Sequence, residues 1–145
     1  MKKDLIVDVG AFGGLPFYAL VLLLAYITNY IQLLTQVFAA LVFSYAVAVV
    51  LRLAFFRERP EKRKHKNILE KIDAGSFPSL HVTRGTALAI IGGAFYNNML
   101  VWVLFVIVIL AIAHSRVWRK QHRMSDVIAG IILGILVALA TLYLF

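Results

Sequence analysis

Residues 127–145 read VIAGIILGILVALATLYLF, a run without a single charged side chain. Three further runs, 15–34, 37–56 and 99–113, are comparably apolar, with Arg52 the one charged side chain among them. Each reaches or approaches the roughly 20 helical residues that a hydrocarbon core requires. A chain of 145 residues that is 62% hydrophobic, with mean hydropathy +0.88, carries more apolar surface than one small water-soluble core can bury. The sequence therefore predicts a single membrane-embedded domain over 1–145.

A fifth apolar run, 80–95, is shorter and carries His81 and Arg84 near its start. It predicts a helix whose first turn sits at the membrane surface. The fold class that follows is all-α: an integral membrane bundle of five transmembrane helices, preceded by a short interfacial segment at 1–14 that contains Gly10, Gly13 and Gly14. Pro16 suits the first turn of a helix, where its missing N–H costs nothing, while Pro60 and Pro78 mark the end of the second helix and the start of the third. Thr35-Gln36 and Tyr96-Asn97-Asn98 read as short uncharged connections. Asp8 interrupts the stretch after Met1-Lys2-Lys3, so no cleaved signal peptide is expected.

The other two connections, 57–79 and 114–126, are crowded with charge. Five spans place all fifteen Lys and Arg and all seven Asp and Glu on the N-terminal side of the bundle. An excess of cations marks the cytoplasmic face. That excess persists after Arg52, Arg59 and Arg116 are set aside as site residues, so the chain is expected to be a multi-pass cell-membrane protein with its site facing the cytoplasm. In such a protein a net charge of +8 is suited to anionic headgroups and phosphorylated substrates, not to nucleic acid. The absence of cysteine excludes disulfides and thiolate metal sites. Channels and transporters usually place ionisable groups or broken helices near the bilayer midplane, and none is seen here. The sequence carries no signal for an oligomeric state.

Three polar clusters fall at helix ends: Arg52 with Arg59-Pro60; Phe77-Pro78-Ser79-Leu80-His81; and Ser115-Arg116 with His122 and Asp126. A compact bundle would bring them together. Arg52 and Arg59 are nearly two helical turns apart, so two guanidinium forks could grip one phosphate if the helix continues that far. His122 and Asp126, four apart, would share a helix face, with the carboxylate accepting a proton from one imidazole nitrogen and leaving the other nucleophilic.

These residues together, Arg52-x6-Arg59-Pro60, Pro78-Ser79-Leu80-His81 and Ser115-Arg116-x5-His122-x3-Asp126, resemble the three-part signature of the type 2 phosphatidic acid phosphatase superfamily. That superfamily includes lipid phosphate phosphatases, polyprenyl diphosphatases and vanadium haloperoxidases. The resemblance implies that His122 attacks phosphorus to form a phosphohistidine and that Asp126 orients its imidazole. It also implies that His81 protonates the leaving oxygen and later activates water. Arg52, Arg59 and Arg116 would hold the phosphoryl oxygens, joined by the Ser79 hydroxyl and backbone N–H groups around Leu80. No metal or other cofactor is implied. The partners implied are a lipid phosphate substrate and membrane lipids: polyprenyl phosphate or diphosphate, phosphatidate and phosphatidylglycerol phosphate fit equally. Two departures stand out. The family usually has lysine where this chain has Arg52, and glycine where it has Leu80, whose backbone N–H is equivalent only if φ is negative.

Arg84, one turn after His81, is a further candidate for holding phosphate or for pairing with an acidic side chain. Arg119, Lys120 and Arg123 read as interfacial anchors, His65 as part of a basic loop, and His114 as a packing residue. Gly92-Gly93 and the GxxxG pair Gly130 and Gly134 predict close helix packing. Two other functions would use the same residues: a phosphotransferase that passes the phosphoryl group to an alcohol, or a membrane transporter or scaffold without catalysis.

Overall fold

A computed structural model of the chain describes residues 10–61 and 66–145. His65 and residues 1–9 of the expected interfacial segment lie outside that set. After a 3-10 turn at Gly10–Gly13, the described residues form six α-helices: α1 Leu15–Ile27, α2 Ile31–Ala54, α3 Ile68–Ala74, α4 Leu80–Tyr96, α5 Met99–Trp118 and α6 Met124–Leu144. Among the described residues there is no β-strand, only an isolated antiparallel bridge between Glu58 and Gly75. By length and composition, α2, α5 and α6 can each cross a membrane, whereas α1 is a shorter apolar helix.

The helix boundaries follow local chemistry. Pro16 sits in the first turn of α1. The turn into α2 comes at Thr28–Tyr30 and not at Thr35-Gln36, because Asn29 adopts the left-handed backbone (φ 59°) that ends the first helix. Thr35 is absorbed instead, its Oγ1 donating back to the carbonyls of Ile31 and Gln32 at 3.1 and 2.8 Å. The expected turn at Asn97-Asn98 is present: Asn97 is left-handed (φ 45°), and the Asn98 side chain caps α5 by accepting from the Leu100 N–H at 2.8 Å. Within the charged connection, Asn67 caps the short helix α3 by accepting from the Glu70 N–H.

The central element is α4, buried continuously from Val82 to Ala89 and packed against α2, α5 and α6. Its contact with α6 depends on glycine. A Cβ on Gly130 would lie 2.8 Å from the Ser79 carbonyl oxygen, and one on Gly134 would lie 2.6 Å from both the Thr83 carbonyl oxygen and the Thr86 Cβ. The GxxxG spacing thus lets two helix backbones touch. Tyr18, Val37, Ala87, Ile91 and Ala138 fill one apolar cluster, and Val82, Ile112, Ala113 and Val127 a second. The outward faces are also greasy: Leu104, Ile107 and Leu110 on α5, and Leu136 and Leu139 on α6, are more than half exposed. Such continuous apolar cladding belongs against lipid.

Both ends of the bundle are tied. At one end Gln32 Nε2 reaches the Phe145 carbonyl at 3.4 Å, and the Tyr30 and Phe95 rings meet edge to face. At the other, the Ser79 N–H donates to the Asp126 carbonyl at 3.0 Å, joining the start of α4 to the start of α6. All three polar clusters gather at this second end.

Candidate active site

A cavity of about 470 Å³ opens at that end, a size suited to a small ligand. Arg52, Arg59, Leu80, His81, Arg84, Arg116 and His122 all line it, together with apolar residues of α1 and α2. The structure therefore joins three segments separated by up to 70 residues of sequence around one space.

Each cation arrives differently. Arg52 projects from the last turn of α2, 5% exposed; its Nη1 donates to the Ile72 carbonyl at 2.8 Å and its Nη2 to the Pro78 carbonyl at 3.2 Å. Because α2 ends at Ala54, Arg59 does not share a helix with it as the seven-residue spacing suggested. Arg59 comes from the following loop, which the Glu58–Gly75 bridge holds against the end of α3, and its Nη2 donates to the Asp73 carbonyl at 2.7 Å. Arg116 lies in the last turn of α5, which runs beyond the apolar stretch, and its Nη1 bonds the Gln121 side chain at 2.6 Å. Arg84 is 3% exposed and donates to the Tyr45 hydroxyl at 2.6 Å and to the Gly13 carbonyl at 2.8 Å. Of its two expected roles, pairing with an acid finds no partner among the described residues.

At the start of α4, Ser79 occupies the N-cap and Leu80 the first helical position. Leu80 is not among the residues with positive φ, so leucine fits here without strain and leaves its N–H at the helix N-terminus. Ser79 does not line the cavity; its hydroxyl is fully buried without a hydrogen-bond partner among the described residues. His81 follows one position later and faces the cavity. The 3-10 turn packs so tightly beneath it that a Cβ on Gly13 would collide with the His81 carbonyl oxygen.

His122 departs from expectation. It precedes α6, whose N-cap is Arg123, so the four-residue spacing to Asp126 is not a helical one. Its Nδ1 lies 2.8 Å from the Ser76 carbonyl oxygen. A carbonyl can only accept, so Nδ1 carries the proton and Nε2 keeps its lone pair. The Asp126 carboxylate is engaged elsewhere: Oδ2 accepts from the Arg123 N–H at 2.9 Å, capping α6, and Oδ1 pairs with Arg57 Nη1 at 2.9 Å. The carboxylate still acts on the imidazole through space. Burial, then the Arg59 cation, push the His122 ring down to about 4, against the Ser76 carbonyl and Asp126, which raise it. The ring is therefore neutral at pH 7.

Sequence reasoning missed Ser76, Arg57, Tyr45 and Gln121. Ser76 contributes a backbone oxygen, which leaves no side-chain signature. Arg57 also bonds the Ser125 hydroxyl and stacks over Phe77, but its position in a charged run hid it. His114 is exposed and lies against Trp118, outside the cavity lining.

A family model described as the PAP2 superfamily matches residues 33–145. No curated protein sequence matches the chain. Among solved structures, the chain resembles Aquifex aeolicus LpxE with a TM-score of 0.81 at 15% identity, over 97% of this chain and 85% of that one. It also resembles a transmembrane PAP2 type phosphatidylglycerolphosphate phosphatase from Bacillus subtilis, with a TM-score of 0.75 at 17% identity, over 97% and 75%.

Proposed function

Since the chain belongs to the PAP2 superfamily, we propose that it is a metal-independent lipid phosphate phosphatase working through a phosphohistidine. The observation that carries this reading is the 2.8 Å contact of His122 Nδ1 with the Ser76 carbonyl, which leaves Nε2 its lone pair, in a residue that lines one cavity with His81 and four guanidinium groups. Arg52, Arg59 and Arg116, with the N–H groups at the start of α4, hold the phosphoryl oxygens. His122 Nε2 attacks phosphorus, and a P–N bond forms as the P–O bond to the leaving group breaks. The electron pair stays on the leaving oxygen, which takes a proton from His81. His81 then removes a proton from water, whose oxygen attacks phosphorus, breaks the P–N bond and releases orthophosphate. Asp126 acts at one remove, by fixing the start of α6 and by its charge.

In the same reading α1, α2, α4, α5 and α6 form five membrane spans, with the site on the cytoplasmic face at headgroup depth. Their alternating direction between the two tied ends and the concentration of cations at the site end support this. A lipid substrate follows from the apolar wall of the cavity, where Leu15, Pro16, Ala48 and Val49 adjoin the cations. Phosphatidylglycerol phosphate, named for the Bacillus subtilis protein, is one such lipid.

The test is release of phosphate from lipid phosphates in detergent with excess chelator. Wild type should turn over, and His122→Ala and His81→Ala should each lose ~100-fold or more. Persistent activity in His122→Ala would refute the mechanism.

A further inference from the structure

In the reading above, Arg52, Arg59 and Arg116 account for one phosphate, yet a fourth cation lines the same cavity. Arg84 is 97% buried by its 3% exposure, and its partners are neutral oxygens: the Tyr45 hydroxyl and the Gly13 carbonyl. Its Nε has no hydrogen-bond partner among the described residues. The Tyr45 ring lies 5.3 Å from the guanidinium carbon, and the Tyr18 hydroxyl donates to the Arg84 backbone carbonyl at 3.3 Å. A charge taken this far out of water normally sits beside an opposite charge. Here none of the described residues supplies one, and the cavity does border it.

Position decides which anion fits. Arg84 follows His81 by one turn of α4, about 4.5 Å further along the helix axis from the end where His122 and Arg59 lie. Tyr45 precedes Arg52 by two turns of α2, about 10 Å deeper. Both therefore stand on the membrane side of the proton donor, where the leaving group and its lipid chain must lie. A simple alcohol there would put hydrocarbon against a cation whose charge no carboxylate of the described residues offsets.

We propose that Arg84 and Tyr45 form a second phosphate subsite on the leaving-group side of His81, so that the preferred substrate carries another phosphoryl group between the scissile phosphate and its lipid chain. This rests on the phosphatase reading above. With a lipid diphosphate, the bond between His122 Nε2 and the terminal phosphorus forms while the bond from that phosphorus to the bridging oxygen breaks. The electron pair passes to the inner phosphate, His81 supplies the proton, and Arg84 offsets the charge. Water then cleaves the P–N bond, giving lipid monophosphate and orthophosphate. A phosphodiester further along the leaving group, as in phosphatidylglycerol phosphate, offers the subsite the same chemistry.

The experiment compares farnesyl diphosphate with farnesyl phosphate, and phosphatidylglycerol phosphate with phosphatidate, on wild type, Arg84→Gln, Arg84→Lys and Tyr45→Phe in detergent. Wild type should favour the two-phosphate member of at least one pair by ~10-fold or more in kcat/KM, and the favoured pair identifies the source of the second phosphate. Arg84→Gln should lower kcat/KM for that substrate ~10-fold more than for its one-phosphate partner, chiefly through KM, with Arg84→Lys recovering part of the loss. Equal kcat/KM within both wild-type pairs, or a proportional loss in Arg84→Gln, overturns the subsite. Calorimetric binding of inorganic pyrophosphate against orthophosphate reads the subsite without turnover. Tighter pyrophosphate binding that disappears in Arg84→Gln and weakens in Tyr45→Phe supports it, and indifference to the second phosphate refutes it. Absence of any turnover, or activity in His122→Ala, would instead sink the phosphatase reading and leave the binding result to judge the subsite.

Discussion

The imidazole Nδ1 of His122 faces the carbonyl oxygen of Ser76 at 2.8 Å, so a peptide group, not a carboxylate, sets the tautomer of the proposed nucleophile. The ring is consequently fixed by the loop that leads into α4, the helix that also carries His81.

That arrangement predicts an Nδ1–H tautomer at pH 7, visible in a ¹⁵N-labelled sample as a protonated-type resonance assigned to Nδ1 and an unprotonated-type resonance assigned to Nε2. With the folded value near 4, below the ordinary 6.5, the neutral form is favoured by folding. This contribution to stability is present above about pH 6.5 and is lost as pH falls through about 4. A ring titrating at 6.5 or above would contradict the burial and the Arg59 cation as its controlling influences.

Asp126→Asn should be milder than His122→Ala. It keeps the shape of the α6 cap but loses the charge that pairs with Arg57, so kcat/KM should fall ~10-fold and stability by about 1–2 kcal/mol. Parallel kinetics and thermal melts check this. A loss as deep as that of His122→Ala would restore a direct orienting role to the carboxylate.

Arg52→Lys should lose activity despite keeping its charge. One ammonium does not reproduce the planar fork that reaches both the Ile72 and Pro78 carbonyls, so kcat/KM should drop ~10-fold and stability by roughly 1 kcal/mol. Full activity would mean that only the charge matters at this position.

Gly134→Ala should destabilise by about 1–3 kcal/mol, because the new methyl meets the Thr83 carbonyl and the Thr86 Cβ of α4. Gly92→Ala meets only the edge of the Phe105 ring, which can swing aside, and should cost less. Melting temperatures in detergent that reverse this order would contradict backbone contact between α4 and α6.

The apolar runs and the three polar clusters were legible because both are written in side chains. Length gave the helices, and Arg52, Arg59, His81, Arg116 and His122 do line one cavity. What was illegible belongs to backbone or to distance. Thr35-Gln36 reads as the first connection because it is short and uncharged between two apolar runs, whereas Asn29 ends α1 by its left-handed backbone. The His122–Asp126 spacing was read as helical, but α6 begins only at Met124. The Arg57–Asp126 pair joins residues 69 apart in sequence, which no local pattern announces.

Arg52 and Arg59 rest against peptide oxygens at the C-terminal end of α3, at Ile72 and Asp73. Folding has thus already aimed both guanidinium groups and taken Arg52 out of water, with peptide carbonyls holding the places of phosphoryl oxygens. An incoming phosphate then has only to exchange a peptide acceptor for a fully charged one, with the guanidinium forks already facing it.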